Sequence, residues 1–158
     1  KRVLKKGKKC VIIYQEVTIV IQIYTTPSCA SCRKAKKWFD QYKIPYSEKN
    51  IFSIKLSKED IFRMLANSEN GFDDIISTRS KVFKEKKLDP DNMSVQELIE
   101  FIIDYPSVLK RPIIINENEL QVGYNNEDIT IFLPKELRNL DSFSDFDAEP
   151  INVKYSKK

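Results

Sequence analysis

Apolar positions change their period as the chain proceeds, and each change marks an element. From Val17 to Tyr24 the run Val17-Thr18-Ile19-Val20-Ile21-Gln22-Ile23-Tyr24 is rich in β-branched residues with little alternation. A strand exposed on one face would alternate, so this run predicts a central parallel strand buried on both faces. Thr25-Thr26-Pro27-Ser28 turns the chain. From Ala30 to Tyr42 the spacing becomes helical: Ala35, Trp38, Phe39 and Tyr42 share a face, while Arg33, Lys34, Lys36 and Lys37 fall toward water. Pro45 and the stretch Tyr46 to Ile51 predict a second strand, completing a β-α-β unit of the length a right-handed crossover needs.

Between residues 57 and 105 the pattern predicts an inserted helical subdomain. Ser57-Lys58-Glu59-Asp60 reads as a helix start, and Ser94-Val95-Gln96-Glu97 is a capping box followed by the apolar spacing Val95, Leu98, Ile99, Ile102. Pro112-Ile113-Ile114-Ile115 and Leu120-Gln121-Val122 then flank the polar run Asn116 to Glu119, which predicts a β-hairpin. A last helix is expected over Asn126 to Leu133. The Ser/Asp-rich stretch 141–158, with Phe143 and Phe146 out of helical period, is expected to be a flexible tail. At the other end, Lys1 to Lys9 carry six basic residues and no acidic one, the charge run of a disordered arm, so residues 1–18 read as an extension outside the core.

Composition narrows the chemistry. The apolar stretch Cys10 to Ile23 is too short and too interrupted to span a bilayer, so no membrane role is expected. The only glycines are Gly7, Gly71 and Gly123, which cannot assemble a phosphate-cradling loop. There is no histidine, which removes Ser-His-Asp and Cys-His catalysis and the commonest metal ligand. A net charge of +4, from 27 basic and 23 acidic residues, is weak support for direct nucleic-acid binding. The three cysteines, Cys10, Cys29 and Cys32, comprise one close pair and one left over, which fits a reducing, cytoplasmic compartment.

Cys29-Ala30-Ser31-Cys32 follows the buried strand and opens the first helix, and that placement gives the pair its chemistry. A helix N-terminus stabilises a thiolate on the first cysteine, whose pKa in such motifs falls to roughly 3.5 to 7.5 against about 8.5 for a free thiol, and the second cysteine resolves it one turn away. Half of a zinc site and two unreactive thiols are the alternatives. Zinc needs two further ligands, and with no histidine and only Cys10 remaining the site cannot close on protein thiols, so no metal or cofactor is expected. Cys10 receives no role. Arg111-Pro112 precedes the hairpin, and a proline there in a thioredoxin-like fold is typically cis and faces the active cysteine. Arg111 then stands near Cys29 to stabilise its thiolate; read alone, it is an ordinary exposed arginine. Arg79, in Ser77-Thr78-Arg79-Ser80, has the choices of helix cap, anion ligand or solvated side chain. Trp38 reads as core.

The block Tyr24-Thr25-Thr26-Pro27-Ser28-Cys29-Ala30-Ser31-Cys32-Arg33-Lys34-Ala35 resembles the start of the Spx family, relatives of the glutaredoxin-coupled arsenate reductases. Asn70-Gly71-Phe72-Asp73-Asp74-Ile75-Ile76-Ser77-Thr78-Arg79-Ser80, Leu109-Lys110-Arg111-Pro112-Ile113-Ile114-Ile115 and Leu120-Gln121-Val122-Gly123-Tyr124-Asn125 agree with it in order. The resemblance implies an α/β thioredoxin-like, arsenate reductase-like mixed sheet with an inserted helical subdomain. The domain would span 19–140, its thioredoxin-like halves about 19–52 and 108–135 and its insertion about 57–105. It also implies a global transcriptional regulator, not an enzyme, that binds the C-terminal domain of the RNA polymerase α subunit and responds to thiol stress through a Cys29–Cys32 disulfide. Promoter DNA would be met only in complex with polymerase, and the ClpXP protease with an adaptor would keep the protein scarce. Gly71 and Arg79 fall on the implied polymerase contact, Arg111 and Pro112 beside the switch. Gly71 has two physical readings, a close approach of a partner's backbone or a helix C-cap after Asn70. The alternative function is a thiol-dependent oxidoreductase such as an arsenate reductase. Against it, Thr25-Thr26-Pro27 replaces the reductases' His-Asn-Pro lead-in, and Gly123-Tyr124-Asn125 lacks their third arginine, an oxyanion donor.

Overall fold

The computed structural model describes residues 21–134 and Arg138, together with the backbone of residues 3–6 and 9–12. Two short strands, β1 (Val3–Lys6) and β2 (Lys9–Ile12), pair antiparallel with Val3 opposite Ile12 and form a two-stranded sheet of their own. This corrects the expectation of a disordered arm: a charge run reports repulsion and solvation, but it does not report the pairing that Val3, Leu4, Val11 and Ile12 allow across the hairpin. Removing residues 1–18 is expected to leave the unfolding midpoint of the protein nearly unchanged, because the larger sheet begins at Ile21 and neither of these strands belongs to it. A loss of several kcal/mol in denaturant unfolding would show that the hairpin is part of the core.

The larger sheet has four strands in the order β4-β3-β5-β6. Its centre is β3 (Ile21–Thr25), parallel to β4 (Tyr46–Asn50) and antiparallel to β5 (Ile113–Ile115), which turns back through residues 116–119 into β6 (Leu120–Val122). The sheet is therefore mixed, and the β-α-β unit and the hairpin stand where the apolar pattern predicts them. Residues 17–20 of the predicted first strand lie outside the described residues. Both faces of the sheet are covered, which is why β5 is wholly apolar and β3 carries buried Ile21, Ile23 and Tyr24 on both of its faces. On one face Ile21, Ile23 and Ile114 pack with Ala35, Phe39, Ile129 and Phe132; on the other Tyr24, Ile113 and Ile115 pack with Ile61, Met64, Ile99 and Ile102.

Helix α1 (Ala30–Gln41) buries Cys32, Ala35, Trp38 and Phe39 against the first face, so Trp38 is core as expected. The second face is covered by α2 (Lys58–Ala66), α3 (Phe72–Ile75), α4 (Lys81–Glu85) and α5 (Val95–Asp104), all between β4 and β5. Ser57 and Ser94 cap α2 and α5, each in a reciprocal capping box with Asp60 and Glu97. Within α5 the apolar stripe is Leu98, Ile99 and Ile102; Val95 is 56% exposed, because it occupies the first helical position and the packed face begins one turn later. The last predicted helix is a short 3₁₀ segment, Asp128–Phe132. Pro134 holds Leu133 extended at ψ 145° and ends the segment before a second turn can form. The predicted tail, 141–158, lies outside the described residues. Among the described residues no helix is long and apolar enough to cross a membrane.

Candidate redox site

The site is built where β3 ends. Thr26 O accepts from Cys29 N at 3.3 Å, closing the turn that brings Cys29 to the N-cap position of α1 with φ −86° and ψ 108°. A cap must offer an acceptor to the free amides of the first turn, and here the Cys29 sulfur takes the bond from Cys32 N at 3.1 Å. The two cysteines are disulfide-bonded with their Cα atoms 5.2 Å apart. Cys32 is buried and Cys29 only partly so, which leaves Cys29 as the sulfur that a solution thiol can reach.

Cys29 opens into a cleft of about 440 Å³. Thr26, Ser28 and Cys29 form one wall; Leu109, Lys110 and Arg111 with Ser77 form another, and Val122 and Gly123 close it from β6. Among the described residues no carboxylate lines it, and two cations do. The Arg111–Pro112 peptide is cis, as expected, and the Pro112 carbonyl accepts from Gly123 N at 2.7 Å. Gly123 sits at φ +81°, a left-handed turn that a side chain would resist. Arg111 is thus on the same cleft as Cys29, while Pro112 is buried behind it.

The other two candidates, Gly71 and Arg79, do not line the cleft. Gly71 is the N-cap of α3 at φ +61° and ψ −127°, and a Cβ built there would meet nothing within 4 Å. The helix C-cap reading is corrected, since α2 ends at Ala66 with Asn67 as its cap, and three residues separate that cap from Gly71. Two of them are held by Asp74, whose Oδ2 accepts from Glu69 N at 2.9 Å and Asn70 N at 2.8 Å. Arg79 is exposed and has no partner among the described residues. A physical link joins the Gly71 segment to the cleft. Ile75 O accepts from Lys110 N at 2.8 Å, Ile76 bridges Leu109, Ser77 N donates to Val108 O at 2.8 Å, and Lys110 Nζ donates to Asp73 O at 2.7 Å.

Sequence reasoning missed two polar clamps on opposite faces of the sheet edge. On the α1 face, Glu48 Oε1 accepts from Thr25 Oγ1 at 2.8 Å and from Lys36 Nζ at 2.9 Å. The Lys36 hydrogen bond, against a smaller opposing effect of burial, holds the Glu48 carboxyl below its ordinary range. On the other face, Asp60 Oδ1 accepts from Tyr24 OH at 2.8 Å and Lys49 Nζ at 3.1 Å, while Gln22 Oε1 accepts from Tyr24 OH at 3.1 Å and Arg63 at 3.2 Å. Burial works to raise the Asp60 pKa but is outweighed by the Ser57 amide, the Tyr24 hydroxyl and the Lys49 ammonium, leaving it at about 2. Burial foremost, with the Asp60 carboxylate beside it, pushes the Tyr24 hydroxyl far up. Only the Ser57–Asp60 spacing signalled any of this in advance. Among the described residues no cluster of histidine, cysteine and carboxylate side chains could hold a metal ion.

A mixed sheet whose central strand feeds a Cys-x-x-Cys pair at a helix N-terminus, with a cis Arg111–Pro112 peptide leading into the strand beside it, defines a thioredoxin-like protein of the arsenate reductase-like class. The model of the ArsC family matches residues 24–132, and the chain belongs to that family. Within it the chain is homologous to the Spx regulators. It is 50% identical over 119 residues to global transcriptional regulator Spx 1 of Bacillus cereus, covering 75% of this chain and 91% of that protein. It is 48% identical over 120 residues to global transcriptional regulator Spx of Bacillus subtilis, covering 76% and 92%. Among solved structures, a putative ArsC family related protein from Bacteroides fragilis superposes with a TM-score of 0.61 at 27% identity, over 68% of this chain and 92% of that one.

Proposed function

We propose that this protein is a redox-responsive global transcriptional regulator that binds the C-terminal domain of the RNA polymerase α subunit, with Cys29 and Cys32 as its switch. The observation that carries the reading is the identity of about half of all aligned residues to Spx regulators over more than nine-tenths of their length, joined to a Cys-x-x-Cys disulfide at the N-terminus of α1. Chemically, Cys29 is the accessible thiolate, and Cys32, one turn inward, displaces whatever oxidant adds to it. Arg111, on the same cleft, stabilises the Cys29 thiolate, and Pro112 shapes the wall opposite it. Gly71 and Arg79 form the polymerase-facing surface. The Lys110 contacts to Asp73 and Ile75 support a route by which a change at the cleft reaches the Gly71 segment. Promoter DNA is engaged only together with polymerase, the ClpXP protease with an adaptor controls abundance, and the protein works in the cytoplasm without a cofactor.

A pull-down of polymerase α with reduced and oxidised protein tests this reading. Binding that depends on the Cys29–Cys32 disulfide, mapped by mass spectrometry of trapped and digested protein, is the expected result. If Cys29 pairs mainly with Cys10, or if both stay reduced at a potential that oxidises thioredoxin, the switch is wrong. One observation favours a second reading, a thiol-dependent reductase: the cleft beside Cys29 is lined by Lys110 and Arg111 and, among the described residues, by no acid, a setting for an oxyanion. Turnover of arsenate with glutathione or thioredoxin above background would favour it.

A further inference from the structure

Cys29, Cys32 and Lys36 follow one another along α1 at spacings of three and four, so Lys36 is the next-turn neighbour of the buried Cys32. Its ammonium is nevertheless committed elsewhere: Lys36 Nζ donates to both Glu48 carboxylate oxygens, at 2.9 and 3.0 Å. Glu48 lies on β4 opposite Ile23, on the face that α1 covers, and Thr25 Oγ1 fixes it from β3 at 2.8 Å. Thr25 is 2% exposed and immediately precedes Thr26 of the cleft wall. Two donors from two elements therefore hold this carboxylate beneath the first half of α1. Arg33, Lys34 and Lys37 of the same helix have no ion-pair partner among the described residues. The other cations facing the pair come from across the cleft, Lys110 on the Asp73 carbonyl and Arg111.

We propose that Glu48 is a positioning residue that sets the redox poise of the Cys29–Cys32 pair by withholding the Lys36 charge from it; the inference rests on the switch reading above. A thiolate carries a charge and a disulfide does not, so a nearby ammonium stabilises only the reduced form. With its carboxylate beside it, Lys36 contributes little field at the sulfurs. Without that carboxylate the same ammonium favours the Cys29 thiolate, lowers its pKa and makes the disulfide more oxidising. Removing Lys36 instead leaves Glu48 uncompensated near the dithiol, and the disulfide becomes harder to reduce.

Equilibration with glutathione and its disulfide measures the effect. The Cys29 and Cys32 thiols join in one S–S bond while the glutathione disulfide breaks to two thiols, taking up two electrons and two protons. At a pH where Cys29 is ionised, Glu48→Gln is expected to lower the equilibrium constant for forming the protein disulfide about threefold to tenfold, tenfold being about 30 mV for a two-electron couple. Lys36→Met is expected to raise it, and the double variant to return within about twofold of the parent. The Cys29 thiol pKa, followed by thiolate absorbance, should move down, up and back in the same order. Glutamine keeps an acceptor for Thr25 and Lys36, so folding is preserved, and circular dichroism checks it. A merely structural clamp predicts potentials unmoved, or both single variants shifted in one direction, and either result overturns the proposal. A parent protein that forms no Cys29–Cys32 disulfide would instead overturn the switch reading, and this inference with it.

Discussion

Gly71→Arg is expected to weaken binding to the polymerase α C-terminal domain more than tenfold while the Cys29–Cys32 disulfide still forms. The glycine stands at φ +61° and ψ −127° ahead of α3, a conformation that L side chains rarely adopt. Strain of this kind costs about 1–3 kcal/mol, so part of any loss will be in the fold. The space around it is open, with nothing within 4 Å of a Cβ position, so a long side chain is not driven into the protein's own core. On the polymerase-facing surface proposed above it would project where the partner's backbone approaches, and a clash that strands a partner's polar groups commonly costs upwards of about 2 kcal/mol. Gly71→Ala separates the two effects, because it carries the strain without the bulk. Calorimetric affinities for both variants, with circular dichroism and thiol titration alongside, check the prediction. If Gly71→Arg folds and binds α with parental affinity, the contact surface lies elsewhere. If Gly71→Ala loses as much as Gly71→Arg, the loop conformation rather than side-chain bulk governs binding.

The features that sequence made legible are those decided within a few residues. The Cys29-x-x-Cys32 spacing, the Ser57 and Ser94 capping boxes and the polar turn between Ile115 and Leu120 each report a local geometry, and each element stands where it was expected. The unbroken apolar run Ile113–Ile115, and the run Ile21–Tyr24 interrupted only by Gln22, report burial on both faces, which requires only that helices cover the sheet. What pattern could not convey is pairing between polar residues far apart in the chain. Asp60 reads as a helix start, yet its main partners, Tyr24 and Lys49, come from two strands, 36 and 11 residues away. Lys36 reads as a solvated charge on a basic helix face and nothing in the pattern singles out Glu48; only the crossover brings them together. Pattern also overstated the last element: Asn126 to Leu133 has helical spacing, but only Asp128–Phe132 is helical, as a 3₁₀ segment, and Pro134 fixes its end at Leu133. At Lys1 to Lys9 charge masked a strand pairing that runs through the apolar base of the hairpin.

Asp60→Ala is expected to destabilise the protein by about 2–4 kcal/mol, the range for leaving buried hydrogen-bonding groups unpaired and losing a cap together. Its side chain, 14% exposed, closes the capping box of α2 through Ser57 N at 3.0 Å and Ser57 Oγ at 3.1 Å, and it also receives Tyr24 OH and Lys49 Nζ. Truncation would leave the buried Tyr24 hydroxyl with Gln22 and the long 3.4 Å contact from Lys49 Nζ, and Lys49 without its ion pair. Asp60→Asn keeps the shape and some acceptors but loses the charge, and should fall between the two. The same carboxyl gives the prediction a pH signature. Its folded pKa of about 2 lies below the unfolded value near 3.9, so the charged form is favoured by folding. The associated stability is therefore fully present above about pH 4 and is lost as pH falls toward about 2. Solvent screening of a partly exposed group keeps that contribution to about 1–2 kcal/mol. Urea unfolding of the parent and both variants between about pH 7 and pH 3 isolates it, since the other carboxylates cancel in the difference between curves. The gap between parent and Asp60→Asn should narrow as pH falls below about 4. A gap that stays constant to the lowest pH would mean that the charge of Asp60 adds nothing to folding, and that its role in joining α2 to β3 is steric and hydrogen-bonding only.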